Sequence, residues 1–337
     1  MQPKLLIMVG GGPAPGINGV ISSVTIEALK RGIEVWGLQG GLFGLEQNGI
    51  AACRKLEFAD VTDIHRDGGS IIGTSREGPN SFTRVANLIA EFGAEYVVCI
   101  GGDGTISASY QLELAAHGRF SVGHVPKTID NDIPLPGGFS TFGFQSAREH
   151  GTNLVEALAV DAKTTDRWYL VVAMGRKVGH LSLGIAISAG ATLAIIPEEF
   201  GVRKIQLDEL VDIIVGSMLK RFVNGKKYGT VVLAEGLAEI IDPNSVPELA
   251  AVERDTHGGI RFRELEFGQL VKRAARERLA KINLKLTVIE KNVGYELRCQ
   301  RPNAFDIEYT RQLGYGVVRG LVTEKQSGMV IREVGDL

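Results

Sequence analysis

The feature that most narrows what this chain can fold into is a set of short, nearly unbroken apolar runs rich in β-branched residues. They lie at residues 4–9, 33–38, 95–100, 121–125, 168–173, 193–196, 230–234 and 286–290. Runs this short and this continuous suit strands covered on both faces. Between them come stretches of helical period. Ile17, Ile21, Val24 and Ala28 share one face, and residues 153–162, 207–222 and 268–280 are similarly amphipathic. Strands alternating with helices imply an α/β protein with mainly parallel sheets and right-handed crossovers. At 337 residues the chain has room for two such domains. The segment 134–143 (PLPGGFSTFG) interrupts the pattern and is the expected linker between two α/β halves. Residues 239–263 carry Pro243, Pro247, Gly258 and Gly259 among charges and are expected to form a surface excursion.

Charge and composition exclude several classes of function. Lys and Arg total 37 against 39 Asp and Glu, a net of −2, which gives no basic footprint for nucleic acid. With 44% apolar residues the chain can bury a sizeable core and does not resemble a disordered one. No run approaches the ~18 apolar residues of a membrane helix. The opening KLLIMV passes straight into glycines, without the apolar region and cleavage site of a secretory leader, so the cytoplasm is the expected location. Cys53, Cys99 and Cys299 are too few for a disulfide framework, and neither they nor the six histidines show metal-ligand spacing. Glycine is the exception: 43 residues, about one in eight where ~7% is usual, gathered where the apolar runs stop.

Three of those glycine-rich or acidic stops can carry chemistry. Gly10-Gly11-Gly12-Pro13-Ala14-Pro15-Gly16 lies after a strand and before a helix. There, backbone N–H groups and the helix end favour phosphate oxygens, although a plain tight turn would use the same glycines. The spacing is neither GxGxxG nor GxxxxGK[ST]. Gly101-Gly102-Asp103-Gly104-Thr105 follows the run at 95–100 and opens a helical segment, at the strand end where open α/β sheets bind ligands. Asp103 can hold Mg²⁺ against phosphate oxygens, and Thr105 serves equally well as a helix cap. Pro126-Lys127-Thr128-Ile129-Asp130-Asn131-Asp132 concentrates two carboxylates beside a lysine and a threonine. One carboxylate can accept a proton from a sugar hydroxyl and the other can orient that hydroxyl or its metal; capping of the following turn is the structural alternative.

GGDGT followed by PKTIDND 25 positions on (126 minus 101) resembles the 6-phosphofructokinase family. The likeness continues through Gly73-Thr74-Ser75-Arg76, Arg167, Met174-Gly175-Arg176, Ala234-Glu235-Gly236 and Gly294-Tyr295-Glu296-Leu297-Arg298, in the family's order. It implies the phosphofructokinase fold, two Rossmann-like three-layer domains. Residues 1–140 plus about 287–312 would bind the phosphoryl donor, and 141–286 plus about 313–337 would bind fructose 6-phosphate. It also implies Mg²⁺-dependent transfer of a phosphoryl group to the sugar's 1-hydroxyl, a reaction of glycolysis. Asp130 would be the general base, with Thr128 and Asp132 supporting the phosphoryl group and metal, and Lys127 adding positive charge. Asp103 would bind the metal, while Gly12, Arg76, Gly102, Gly104 and Thr105 line the donor. Met174, Gly175 and Arg176 would touch the sugar, Arg176 also stabilising charge in transfer, and Glu235 would accept a sugar hydroxyl. Arg298 and Tyr295 would face the 6-phosphate, with Arg167 reaching in from a neighbouring subunit of a homo-oligomer, expected as a tetramer.

The chain departs from the family pattern in places. Pro13 stands where many relatives carry Asp, and Ile289 where they carry a second 6-phosphate arginine, for which Lys291 or Lys285 could substitute. Ser22 and Ile26 occupy positions where relatives bind effectors with basic residues. Two positions bear on the donor. Pyrophosphate-using relatives resemble one another in a second Asp after GGD, where a carboxylate would repel a nucleotide α-phosphate. Here the residue is Gly104, which leaves room for ATP. Lys127 is the residue pyrophosphate users show in PKTIDND, though some ATP users share it. ATP is the expected donor, with a reversible pyrophosphate enzyme as the alternative. A dehydrogenase would need GxGxxG, and a non-catalytic sensor on this scaffold would lack Asp130, Asp103 or Arg176, all of which are present.

Overall fold

The computed structural model describes residues 2–246 and 266–332, so 247–263 of the expected excursion lie outside the described residues. All eight expected strands form, and the chain divides into two compact units, 1–147 with 298–337 and 148–297.

The first unit is built on a seven-stranded sheet. Its strands are β1 (Lys4–Val9), β2 (Glu34–Leu38), β3 (Cys53–Leu56), β4 (Ala94–Gly101), β5 (Ser121–Thr128), β6 (Phe142–Gly143) and a two-residue strand, Gly328–Met329, beside β5. From that last strand the order runs β5, β4, β1, β2, β3, with β6 paired to β5; all pairs are parallel except β2 with β3. The unbroken apolarity of β1 has a direct cause. Leu5, Ile7 and Val9 join the cluster under helices Ile17–Lys30 and Ala304–Val322. Leu6 and Met8 join another under helices Gly41–Asn48, Phe82–Phe92 and Asp103–Ala116. Alternate side chains thus feed two cores, making three layers. Each fully buried Leu or Ile there contributes about 1.5–3 kcal/mol. The chain travels outward from β1 through β2 to β3 and then returns to β4 on β1's other side. The carboxyl ends of β1 and β4 therefore flank the switch point, the usual ligand crevice of such sheets.

The second unit carries a four-stranded sheet of β7 (Arg167–Ala173), β8 (Leu193–Ile195), β9 (Gly229–Ala234) and β10 (Thr287–Val293), ordered β10, β7, β9, β8 and wholly parallel. Trp168, Leu170, Val231 and Leu233 pack on Leu210, Ile214 and Met218 of helix Leu207–Val223 and on Leu270 and Val271 of helix Phe267–Lys281.

The division falls elsewhere than the sequence reading put it. It lies after Ala147, within helix Phe144–Thr165, because the 134–143 segment is tied into the first unit. Phe142 is fully buried there, the Thr141 hydroxyl donates to Thr128 O at 2.8 Å, and Gly143 N donates to the buried Asp306 carboxylate at 2.9 Å. Residues 287–297 belong to the second unit, since β10 pairs with β7; 313–332 belong to the first, since helix Ala304–Val322 covers its sheet.

Candidate active site

In the first unit, the turns after β1 and β4 are locked together by one side chain. Thr105 is buried between them, and a Cβ on Gly10 or Gly101 would lie 2.3 or 2.2 Å from its Oγ1. These two glycines are therefore required for packing. Gly10 N donates to Ile100 O at 2.8 Å and Gly11 N to Ser75 O at 2.7 Å, which brings the Ser75-Arg76 turn alongside. Helix Asp103–Ala116 starts at Gly102, whose carbonyl accepts from both Thr105 N and Ile106 N at 2.9 Å. The Asp103 and Gly104 N–H groups lie in the first turn, where no earlier helix carbonyl exists to receive them. Asp103 and Gly104 are both exposed.

Lys127, at the carboxyl end of β5, crosses to the first glycine turn. It is 4% exposed, and its Nζ donates to Gly12 O at 2.5 Å. The Arg298 guanidinium lies beside Gly12, its Cζ 3.2 Å from where a Cβ would stand. Arg76, Arg298, Asp130 and Asp132 all act electrostatically on the lysine. Burial first, and then the Arg298 charge, push the Lys127 ammonium down to about 8, against the pull of the two aspartates. The acidic loop is shaped by its own polar groups. Asp130 N donates to Thr128 Oγ1 at 3.0 Å, and Thr141 N to Asn131 Oδ1 at 3.1 Å. Asn131 has φ +55°, a left-handed conformation that asparagine tolerates better than most residues. Asp130 is 5% exposed.

The Lys127 shift has a measurable consequence. The folded chain releases this proton near pH 8 while the unfolded chain keeps it to about 10.5, so stability rises between those values. Activity moves the opposite way, because an anionic ligand loses its buried cation. For the free enzyme, kcat/KM for an anionic donor is expected to fall about tenfold per pH unit above about 8. In Lys127→Met that limb should vanish from a pH profile measured at saturating acceptor.

In the second unit, three adjacent parallel strands end at one edge. Met174 N donates to Val293 O at 3.0 Å, and Gly294 packs on the Met174 side chain. Arg176 has φ +49°, a left-handed conformation that is costly for a residue with a Cβ. Glu235 Oε2 faces Arg176 N at 3.3 Å and Gly175 N at 3.4 Å, so its carboxylate braces the turn's backbone. Tyr295 is half exposed at the same edge. Arg167 is not there. It opens β7 while Met174 follows that strand's end, so about 20 Å of strand separates them. Its Nε lies 3.8 Å from Asp161 Oδ2, which also accepts from the Tyr169 hydroxyl at 2.5 Å.

The structure thus gathers Gly12, Arg76, Gly102, Asp103, Gly104, Thr105, Lys127, Thr128, Asp130, Asp132 and Arg298 in one unit, and Met174, Gly175, Arg176, Glu235 and Tyr295 at one edge of the other. Arg298, expected to face a sugar 6-phosphate with Tyr295, has its guanidinium beside the first glycine turn. Asn131 and Thr141 went unread as site residues. An asparagine between two aspartates is a weak left-handed signal, and nothing local marks Thr141.

A phosphofructokinase family model matches residues 4–321. A pyrophosphate–fructose 6-phosphate 1-phosphotransferase of Thermotoga maritima is 44% identical over 98% of this chain and 81% of its own. One from Naegleria fowleri is 43% identical over 97% of this chain and 78% of its own. An ATP-dependent 6-phosphofructokinase of Corynebacterium efficiens is 32% identical over 94% of this chain and 86% of its own. The crystal structure of Pichia pastoris phosphofructokinase in the T-state superposes with a TM-score of 0.77 at 25% identity, covering 98% of this chain and 34% of the yeast chain. The glycine turns, the acidic loop and these likenesses agree: the chain belongs to the phosphofructokinase family.

Proposed function

We propose that this chain transfers the terminal phosphoryl group of ATP to the 1-hydroxyl of D-fructose 6-phosphate, giving fructose 1,6-bisphosphate and ADP. The observation that carries this reading is the buried carboxylate of Asp130 in a cationic, glycine-lined crevice with Lys127, Arg76 and Arg298. Phosphoryl transfer asks for in-line positioning and for neutralisation of spreading negative charge, and those side chains supply both. Asp130 accepts the hydroxyl proton as the oxygen attacks phosphorus. The Asp103 and Gly104 N–H groups, Lys127 and Arg76 hold the donor oxygens, and Arg176 and Glu235 orient the sugar. Tyr295 meets the 6-phosphate, while Arg298, beside Gly12, adds positive charge at the donor turn.

A magnesium ion fits the carboxylates present. No trio of His, Cys, Asp or Glu side chains forms a metal cage among the described residues. Mg²⁺ commonly takes only one or two carboxylates plus substrate phosphates. Asp132 Oδ1 is buried without a hydrogen-bond partner and Asp103 is exposed at the helix start, so these two would hold it. Once bound, the ion neutralises charge on the donor phosphates.

ATP is retained as donor because Gly104 leaves the nucleotide side open: a Cβ there meets nothing within 4 Å. A second reading, pyrophosphate as donor, is favoured by the relatives at 44% and 43% identity and by Lys127. Turnover of fructose 6-phosphate with magnesium ATP and with magnesium pyrophosphate separates the two. The first reading expects ATP to win by at least tenfold in kcat/KM, and preference for pyrophosphate would establish the second. The reading extends to a cytoplasmic homo-oligomer in which Arg167, set apart on the far end of β7, completes a neighbouring subunit's sugar-phosphate site. An active monomer in a mass measurement would contradict that assembly.

A further inference from the structure

An imidazole stands in the apolar core directly behind the GGDGT turn. His124 lies mid-strand in β5, 4% exposed, in register with the buried Cys99 of β4 and two residues after the buried Val122. Burying a ring with two polar nitrogens in such company is unfavourable unless both find partners. Both do. Nε2 is 3.1 Å from the Gly101 carbonyl oxygen, and Nδ1 is 2.9 Å from the Ser109 hydroxyl, which also lies 2.8 Å from Thr105 O. Burial, aided by the Lys127 charge, pushes the ring down to about 4, so it is neutral at neutral pH and carries one N–H. A carbonyl only accepts, so that proton sits on Nε2, and Nδ1 receives the Ser109 hydroxyl.

We infer that His124 is a positioning residue for the phosphoryl donor, fixing the peptide between Gly101 and Gly102 from behind; the inference rests on the function proposed above. The peptide unit is planar and trans, so its C=O and N–H point in opposite directions. Drawing the Gly101 oxygen inward to the imidazole therefore turns the Gly102 N–H outward, toward the mouth of the turn. In the parallel ladder the Gly101 oxygen faces the N–H of the residue after its register partner Pro126, and the imidazole adds a second, side-chain donor to the same oxygen. Without the imidazole, the peptide between two glycines at the strand's last residue keeps only the ladder's hold on its carbonyl. Ser109 ties the clamp to helix Asp103–Ala116, because its one hydroxyl proton goes to Nδ1 and so fixes the tautomer whose Nε2–H holds the Gly101 carbonyl.

The test is kinetic and uses the full chain. Loss of a buried hydrogen-bond partner is worth about tenfold, so His124→Ala is expected to raise the donor KM by about that factor and leave the fructose 6-phosphate KM within about twofold. His124→Gln, whose amide N–H can reach the same carbonyl, should recover most of the loss. Ser109→Ala should raise the donor KM by a smaller factor and carries the test if His124→Ala does not fold. A purely structural role would lower thermal stability and move both KM values together, or neither, and either pattern overturns the inference. Calorimetric binding of magnesium pyrophosphate and magnesium ATP to the same variants keeps this separate from the functional reading. If the wild type binds a donor but never phosphorylates the sugar, that reading fails. Weakened donor binding in His124→Ala would still uphold the clamp, and unchanged binding would overturn it.

Discussion

Asp130→Asn is expected to lower kcat by about 10²–10⁴-fold, the span typical of a lost general base. The KM for fructose 6-phosphate should stay within a few-fold. Asparagine keeps the shape of the side chain and can still hydrogen-bond the sugar's 1-hydroxyl, but it cannot take that hydroxyl's proton at neutral pH. An effect confined to kcat marks an interaction made in the transition state, not in substrate binding. The fold should survive, because the loop's shape rests on Thr128, Asn131 and Thr141. There is a second signature. Asp130 is one of two carboxylates opposing the downward push on Lys127, so its neutralisation should move the alkaline limb of the donor kcat/KM profile further down from pH 8. A variant with unchanged kcat would remove Asp130 from the mechanism.

Gly104→Asp is expected to cost ATP turnover about 5–1,000-fold in kcat/KM. Two like charges about 4 Å apart repel by about 1 kcal/mol in water and about 4 kcal/mol at a protein surface, which sets that range. The substitution has no obvious structural cost. A Cβ there meets nothing within 4 Å, and the site is in a helix's first turn, where a carboxylate suits the macrodipole. Thermal stability should therefore hold or rise slightly. Pyrophosphate lacks the nucleoside-bearing phosphate that meets the new charge, so its kcat/KM should change by much less. Equal losses with both donors would show that position 104 does not sense the nucleotide.

Much of this was legible in the residues because it follows from periodicity. The strands with both faces covered announce themselves as unbroken apolar runs, and each formed. What escaped was polar, short or non-local. Cys53–Leu56 shows only one buried residue, as an antiparallel edge strand does, and Phe142–Gly143 and Gly328–Met329 are two residues each. The 134–143 segment looked like a linker from its Pro and Gly content. Its attachment depends on Thr128, 13 positions before Thr141, and on Asp306, 163 positions after Gly143, distances no local pattern can report. The order of the motifs marked the glycine turns and the acidic loop in advance. It could not show that Gly10 and Gly101 are glycines for the sake of Thr105, nor that Arg298 turns toward Gly12.

A crystal structure with fructose 6-phosphate and a non-transferable ATP analogue tests the central claim most directly. The sugar's 1-hydroxyl should lie about 2.6–3.2 Å from a carboxylate oxygen of Asp130 and face the donor's terminal phosphorus. A sugar bound with that hydroxyl out of reach of Asp130, or with a different carboxylate against it, would contradict the account.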